Sequence, residues 1–455
     1  MKTNLWENCD IEKKQQIDSF CERYRKFLSV NKTERECSRF FVAEAEKHGY
    51  RNLKNLIAEG AILQAGDKVY AVNMDKSVMF CVLGEDKLED GFNIVAAHID
   101  SPRLDLKATP LYESQGFCML DTHYYGGIKK YQWTARPLAL HGVVVKKDGF
   151  KLDFVFGEGD DPVVGISDLL PHLEKVETKF IKGEDLNVLA GNIPNADAKE
   201  EKFKANILEI LKSKNIDPED LFSAEFEVVP AGDAKNCGLD SSMIMGYGQD
   251  DRVCAYTGFQ ALMQTNSPKR SVVNLLVDKE EIGSVGATGM HSMFFENTIA
   301  EIMNLCGQYS ELSLRRALTN SNVLSSDVTA GVDPNYVAPF NVATDAHLAK
   351  GVSFNKYTGS RGKGGANDAN PEFIAQLRDC LDKEQVVYQA TEMGKVDEGG
   401  GGTIAYIMAK YNMNVIDVGV PVLNMHAPCE ITSKIDIYEA FRCYQAFFKM
   451  VQKID

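Results

Sequence analysis

With 455 residues, 44% of them hydrophobic, the chain is long enough for two or three domains and a sizeable core. A formal charge of -15 argues against nucleic acid or an anionic membrane as partner and favours cation binding. Eleven scattered cysteines, none in a C-x-x-C pair, read as reduced thiols; no apolar run reaches the ~18 residues needed to span a bilayer, so a cytoplasmic location is expected.

In chain order, residues 10–49 place Ile17, Phe20, Cys21, Tyr24, Phe27 and Leu28, then Phe40 and Phe41, at helical spacing, which predicts two amphipathic helices. From residue 68 the period changes. Short apolar runs at 69–72, 78–83 and 92–97 read as strands, and the last delivers His98 and, two residues on, Asp100. Imidazole is a good zinc ligand, and a nearby carboxylate can orient its second nitrogen.

Residues 104–235 differ in character: apolar runs at 116–120, 140–145 and 152–156 recur between turn signals. They predict a β-rich domain inserted into a discontinuous one formed by 1–103 and 236–455. Gly165 to Leu173 is expected as a short helix or turn, and 182–223 as a loop followed by an exposed helix near Lys199 to Lys214.

After Pro230, strand and helix alternate again. A strand at 242–248 runs into Asp250 and Asp251 at a helix start, where carboxylates are favoured by the helix dipole whatever else they do. The apolar run 271–277 ends in Asp278-Lys279-Glu280-Glu281, and 321–326 ends in Asp327. On an extended chain the adjacent Glu280 and Glu281 would point opposite ways. Lys356, Arg361 and Lys363 lie among glycines in a loop suited to closing over an anion, without a nucleotide P-loop pattern. Glu398-Gly399-Gly400-Gly401-Gly402-Thr403 precedes a helix and offers exposed backbone N–H groups, and the strand 415–420 leads to His426.

His98, Asp250, Glu280-Glu281, Asp327 and His426 therefore sit at five separated strand ends. Parallel strands in an α/β sheet share one carboxyl edge, so these residues can converge there. Two histidines and three carboxylates suit zinc or another borderline divalent ion, with one acid left over as a base. The expected fold class is α/β, with a mixed, mostly parallel sheet flanked by helices and interrupted by the β-rich insertion.

The motifs His98-Ile99-Asp100-Ser101-Pro102-Arg103, Gln249-Asp250-Asp251, Asp278-Lys279-Glu280-Glu281-Ile282-Gly283-Ser284, Ser326-Asp327 with Asp333-Pro334-Asn335-Tyr336, and Asn424-Met425-His426 resemble, in order, those of the aspartyl aminopeptidase and vacuolar aminopeptidase I family. Tyr125-Gly126-Gly127-Ile128 extends the resemblance into the insertion. It implies a zinc aminopeptidase acting on peptides with a free N-terminus. Asp250 would bridge two zinc ions per subunit, His98 and Asp327 completing one site and Glu281 and His426 the other; cobalt or manganese are alternatives, and Asp251 is the alternative bridge. A hydroxide between the metals would attack, with Glu280 as proton shuttle and Asp100 behind His98.

The same resemblance implies that the insertion dimerises, that His172 enters a partner's active site, and that dimers build a tetrahedral dodecamer. Lys356 matches the basic side chain with which acid-selective members bind Asp or Glu, and a neutral preference such as Leu stays open because the flanking residues differ. Two other functions compete. One is a related dinuclear deacylase or deblocking peptidase; the other is a non-catalytic shell or cargo-binding homologue, against which the intact ligand set argues.

Overall fold

In the strand Asn93–His98, Val95 and Ala97 point into one buried cluster while Ile94 and Ala96 point into another. That alternation, with every residue of the strand buried, is what a sheet covered on both faces requires. The neighbouring strand Val272–Val277 does the same, sending Val272 and Leu276 one way and Val273, Leu275 and Val277 the other.

The computed structural model describes residues 3–170, 172–173, 181–359 and 361–451. The chain divides into two units: Met1–Asp100 with Ala234–Met425 and Glu430–Asp455, and Ser101–Asp233 with His426–Cys429.

The first unit is built on a nine-stranded sheet. Its strands run in the order Arg51–Asn52, Lys68–Asn73, Ser77–Val82, Val272–Val277, Asn93–His98, Asn322–Ser326, Asn414–Gly419, Val352–Asn355, Tyr388–Thr391. The four central strands, from Val272–Val277 to Asn414–Gly419, are mutually parallel, and antiparallel pairs flank them. This is the mixed, mostly parallel sheet expected from the sequence.

One face carries Ile11–Val30, Glu34–Lys47, Gln249–Met263, Pro371–Lys383 and Lys434–Phe448; the other carries Leu53–Glu59, Phe294–Leu305, Glu311–Thr319 and Ala405–Ala409. The first two helices begin where the sequence supplies caps. Asp10 accepts the Lys13 N–H at 2.7 Å, and Thr33 with Glu36 forms a reciprocal capping box.

The second unit holds a six-stranded antiparallel sheet in the order Lys151–Phe156, Leu138–Val145, Ala224–Pro230, Arg103–Ser114, Phe117–Tyr125, Val188–Gly191. Two local expectations change here. Val188–Gly191, expected as loop, pairs with Phe117–Tyr125, because four short residues against a strand edge carry too weak a pattern to be read alone. Of the expected helix or turn at 165–173, the described residues show a turn at His172–Leu173 and no helix; Gly165 bridges to Leu189. Pro171, within that expected helix or turn, and 174–180 lie outside the described residues. The exposed helix is Lys202–Ser213, within the expected span.

Candidate active site

The central parallel strands bring their carboxyl ends to one edge. His98 closes its strand opposite Val277, and Ser325 lies opposite Ala96, which sets Asp327 level with His98. Beyond Val277 the chain leaves the sheet: Lys279 takes φ +69°, and Glu280–Ile282 form a 3-10 turn. The two glutamates therefore do not alternate on an extended strand end as the sequence pattern suggested. A left-handed residue breaks the extension before them.

That turn is pinned by Asp100. Its two carboxylate oxygens accept the backbone N–H groups of Glu280 and Glu281, each at 3.2 Å. His98 Nδ1 lies 3.0 Å from the Asp100 carbonyl oxygen and 3.3 Å from its carboxylate. With Nδ1 so engaged, Nε2 faces the acids: Asp250 at 3.2 Å, Asp327 at 3.8 Å and Glu280 at 3.9 Å.

Asp250 and Asp251 enter from the first turn of Gln249–Met263, joined by a cis peptide bond and outside helical φ/ψ. Glu430 accepts the Asp250 N–H at 3.0 Å, and the Gln249 side chain donates to the carbonyls of Ile244 and Glu430. Both aspartates are buried. Two sets of mutually close ligand atoms result, His98 with Asp250 and Glu281, and His98 with Asp251 and Asp327, all within 4.8 Å in each set. Asp251, kept only as an alternative in the sequence, thus belongs to the cluster. The adjacent identical acids offered no signal for ranking them.

Crowding acids into a buried edge raises their proton affinity. Burial, then the Asp327 charge, pushes Asp251 well above the usual carboxylate range. Burial pushes Glu280 up to about 8; His98 opposes this, and Asp327, Asp100 and Asp250 add to it. Burial disfavours a charged His98, but hydrogen bonding to Asp100, Asp250 and Asp327 outweighs it and holds the imidazole well above its ordinary pKa.

These residues fit a divalent cation. His98 Nε2 is buried, and three carboxylates stand within 3.9 Å of it. A set of imidazole and carboxylate donors closing on one point is the composition of zinc and related sites. A cation there would offset the mutual repulsion of the acids.

The remaining sequence candidates fall as follows. His426 belongs to the second unit, where its Nδ1 lies 2.9 Å from the Gly127 carbonyl oxygen. A Cβ on Gly127 would stand 3.3 Å from that same nitrogen, which gives the Tyr125-Gly126-Gly127-Ile128 motif a physical role. His172 is exposed in its turn, and Lys356 is exposed just beyond Val352–Asn355. A residue with no motif of its own also matters: Gly419. A Cβ there would lie 1.7 Å from the Asp327 carbonyl oxygen, so glycine is required for the strand to hold that acid.

The model of the family described as aminopeptidase I zinc metalloprotease (M18) matches residues 27–448. A probable M18 family aminopeptidase 1 of Clostridium acetobutylicum is 56% identical over 98% of this chain and 97% of its own length. The chain belongs to the M18 family of zinc metallo-aminopeptidases. As an M18 protein it is a hydrolase of peptide bonds at N-termini. The crystal structure of the M18 aminopeptidase from Thermotoga maritima superimposes with a TM-score of 0.94, at 40% identity, covering 99% of this chain and 100% of that one. That of aminopeptidase I from Clostridium acetobutylicum gives 0.91 at 54% identity, covering 98% and 99%. The M18 fold accounts for the α/β architecture described above. Among the described residues, no helix is long and apolar enough to cross a membrane.

Proposed function

We propose that this M18 enzyme is a co-catalytic aminopeptidase holding two zinc ions with His98, Asp250, Glu281, Asp327 and His426, Asp250 being shared. The convergence of His98, Asp250, Glu281 and Asp327 at one sheet edge, with Glu280 3.9 Å from His98 Nε2, carries this reading. Asp251 is the alternative shared acid, given its place beside His98 and Asp327. For His426, engagement of Nδ1 by the Gly127 carbonyl makes Nε2 the ring nitrogen that would bind metal.

Zinc, when bound, supplies Lewis acidity toward the scissile carbonyl and makes water acidic enough to attack. The chain's own residues do the rest. Glu280 takes the proton of the attacking water and returns it to the leaving amine. Burial favours the first half of that task, because it raises the proton affinity of the carboxylate. Asp100 holds both the Glu280 backbone and the His98 ring, so base and ligand share one support.

Lys356, exposed beyond its strand, binds the side chain of an acidic N-terminal residue. A second copy of the chain is the expected partner, in dimers that build a dodecamer. His172 then serves the partner's site, and the exposed apolar side chains beside it, Leu169, Leu170 and Leu173, become buried. A dodecamer is the state named for the yeast relative, which shares 19% identity. Eleven scattered cysteines, none in a C-x-x-C pair, accord with a cytoplasmic location.

The test is a rate profile on Asp-, Glu- and Leu-amides with free or acylated amines, for wild type and Lys356→Ala, with metal counted by elemental analysis. Two metals per chain, free-amine substrates only, and an acidic preference lost in Lys356→Ala are expected. Hydrolysis of blocked substrates alone would make the protein a deacylase.

A further inference from the structure

The loop Glu398–Thr403 contains four consecutive glycines. Only some of them are demanded by packing. A Cβ on Gly399 would stand 2.0 Å from the Met393 carbonyl oxygen, whereas one on Gly402 would meet nothing within 4 Å. Glycine at 402 therefore leaves peptide groups uncovered next to open space, which suits a surface that another backbone approaches.

Four glycines in a row have no side chain with which to hold a shape, so something outside them must do it. Thr403 is the first residue able to, and it is buried. Its hydroxyl donates to Asp417 Oδ1 at 2.5 Å and accepts the Ala405 N–H at 3.2 Å. Asp417 is itself buried in the central strand Asn414–Gly419, opposite Ser325 on one side and Asn355 on the other.

Those neighbours tie the contact to the site. Asp327 donates its N–H to the Val418 carbonyl at 3.0 Å, one residue after Asp417. Asn355 immediately precedes Lys356. The loop beyond Lys356 is then bonded to the glycines: the Gly359 N–H donates to the Gly401 carbonyl at 2.7 Å. Its far end returns to the same strand, where Asn367 donates to the Val415 carbonyl at 2.6 Å.

We propose that Asp417 is a positioning residue for substrate. Through Thr403 it fixes the Gly399–Gly402 backbone, and through Gly401 the Lys356–Gly359 loop, as one wall that contacts the main chain of the bound peptide. The assignment rests on the aminopeptidase reading above and on substrate lying along this sheet edge. It does not require Lys356 to select acidic residues.

The experiment measures kcat and KM of the metal-loaded enzyme on Asp-, Glu- and Leu-amides for Thr403→Val, Thr403→Ser, Asp417→Asn and Lys356→Ala. Metal content and amide exchange at Gly399–Gly402 are followed in parallel. Thr403→Val removes the hydroxyl at nearly constant shape. It is expected to raise KM about tenfold on all three substrates, with kcat within about twofold and faster exchange in the glycines. Thr403→Ser restores the donor and Asp417→Asn keeps an acceptor, so both return KM to near wild type.

An unchanged KM on every substrate in Thr403→Val would overturn the proposal. So would a fall in kcat accompanied by metal loss, because the contact would then act through Asp327. Should Thr403→Val fail to fold, Asp417→Ala, which removes the acceptor, decides in its place, an unchanged KM on every substrate overturning the proposal. Lys356→Ala separates the two readings. It changes the acidic-to-neutral ratio alone if Lys356 selects substrate, and leaves the ratio unchanged if it does not, whatever Thr403→Val shows.

Discussion

The Asp100 carboxylate accepts the backbone N–H of Glu280 at 3.2 Å while its own backbone carbonyl engages His98 Nδ1 at 3.0 Å. One buried aspartate thus contacts both the His98 ring, the proposed ligand, and the turn that carries Glu280, the proposed base. Asp100→Ala is expected to weaken zinc binding by about 10- to 100-fold, and Asp100→Asn, which keeps one acceptor oxygen, to weaken it less. Competitive titration with a chromogenic chelator measures this; equal affinity in wild type and Asp100→Ala would show that the contact orients nothing.

Glu280 and Glu281 are adjacent, yet only Glu281 falls in a set of ligand atoms with His98. Glu281→Gln is expected to lower metal content. Glu280→Gln should keep both metals and reduce kcat by about 10²- to 10⁴-fold. Metal loss of the same size in both variants would mean the pair has been divided wrongly.

Metal removal should expose a pH dependence. Asp278 is pushed up to about 6, chiefly by burial, Glu280 to about 8, and Asp251 well above the ordinary range. These folded-state values exceed those of the unfolded chain, so between about pH 4 and pH 8 the folded protein holds more protons. Stability contributed by these groups is complete at the acid end and lost as pH rises through the folded values. The chelated protein's melting temperature should therefore fall from pH 5 to pH 8, by on the order of 1 kcal/mol of stability per pH unit for each retained proton. Saturating zinc should reduce the slope, because a cation beside these acids favours their ionised form. A chelated protein whose stability stays flat over this range would contradict the crowding described.

Gly419 has no chemistry of its own, but an added Cβ would press within 1.7 Å of the Asp327 carbonyl oxygen. Gly419→Ala should cost about 1–3 kcal/mol through backbone displacement. It should also weaken metal binding, since the added Cβ presses on the backbone of Asp327, just past the neighbouring strand Asn322–Ser326. Denaturant unfolding together with metal titration checks both halves; a destabilised variant with undiminished metal affinity would separate the strand from the site.

The sequence by itself determined the inventory of chemistry and its order along the chain. The short apolar run around Ile94 to Ala97 and the histidine or acid that follows such runs are local patterns, legible because run length and residue type need no partner to be read. The β-rich character of the insertion was legible for the same reason. Asp100's place behind His98 was legible too, two residues away.

Only the tertiary structure decided how neighbours of identical type divide. Asp250 and Asp251 are equivalent as letters; in the fold, Asp250 pairs off with Glu281 and Asp251 with Asp327. The turn at Glu280 hangs on the φ of Lys279 and on hydrogen bonds it donates to Asp100, just past a different strand. Gly419 and Asp417 earn their significance wholly from residues far away in sequence, Asp327 and Thr403. Contacts of that kind depend on parallel strands meeting at a shared edge, and no window of adjacent residues contains both sides of them.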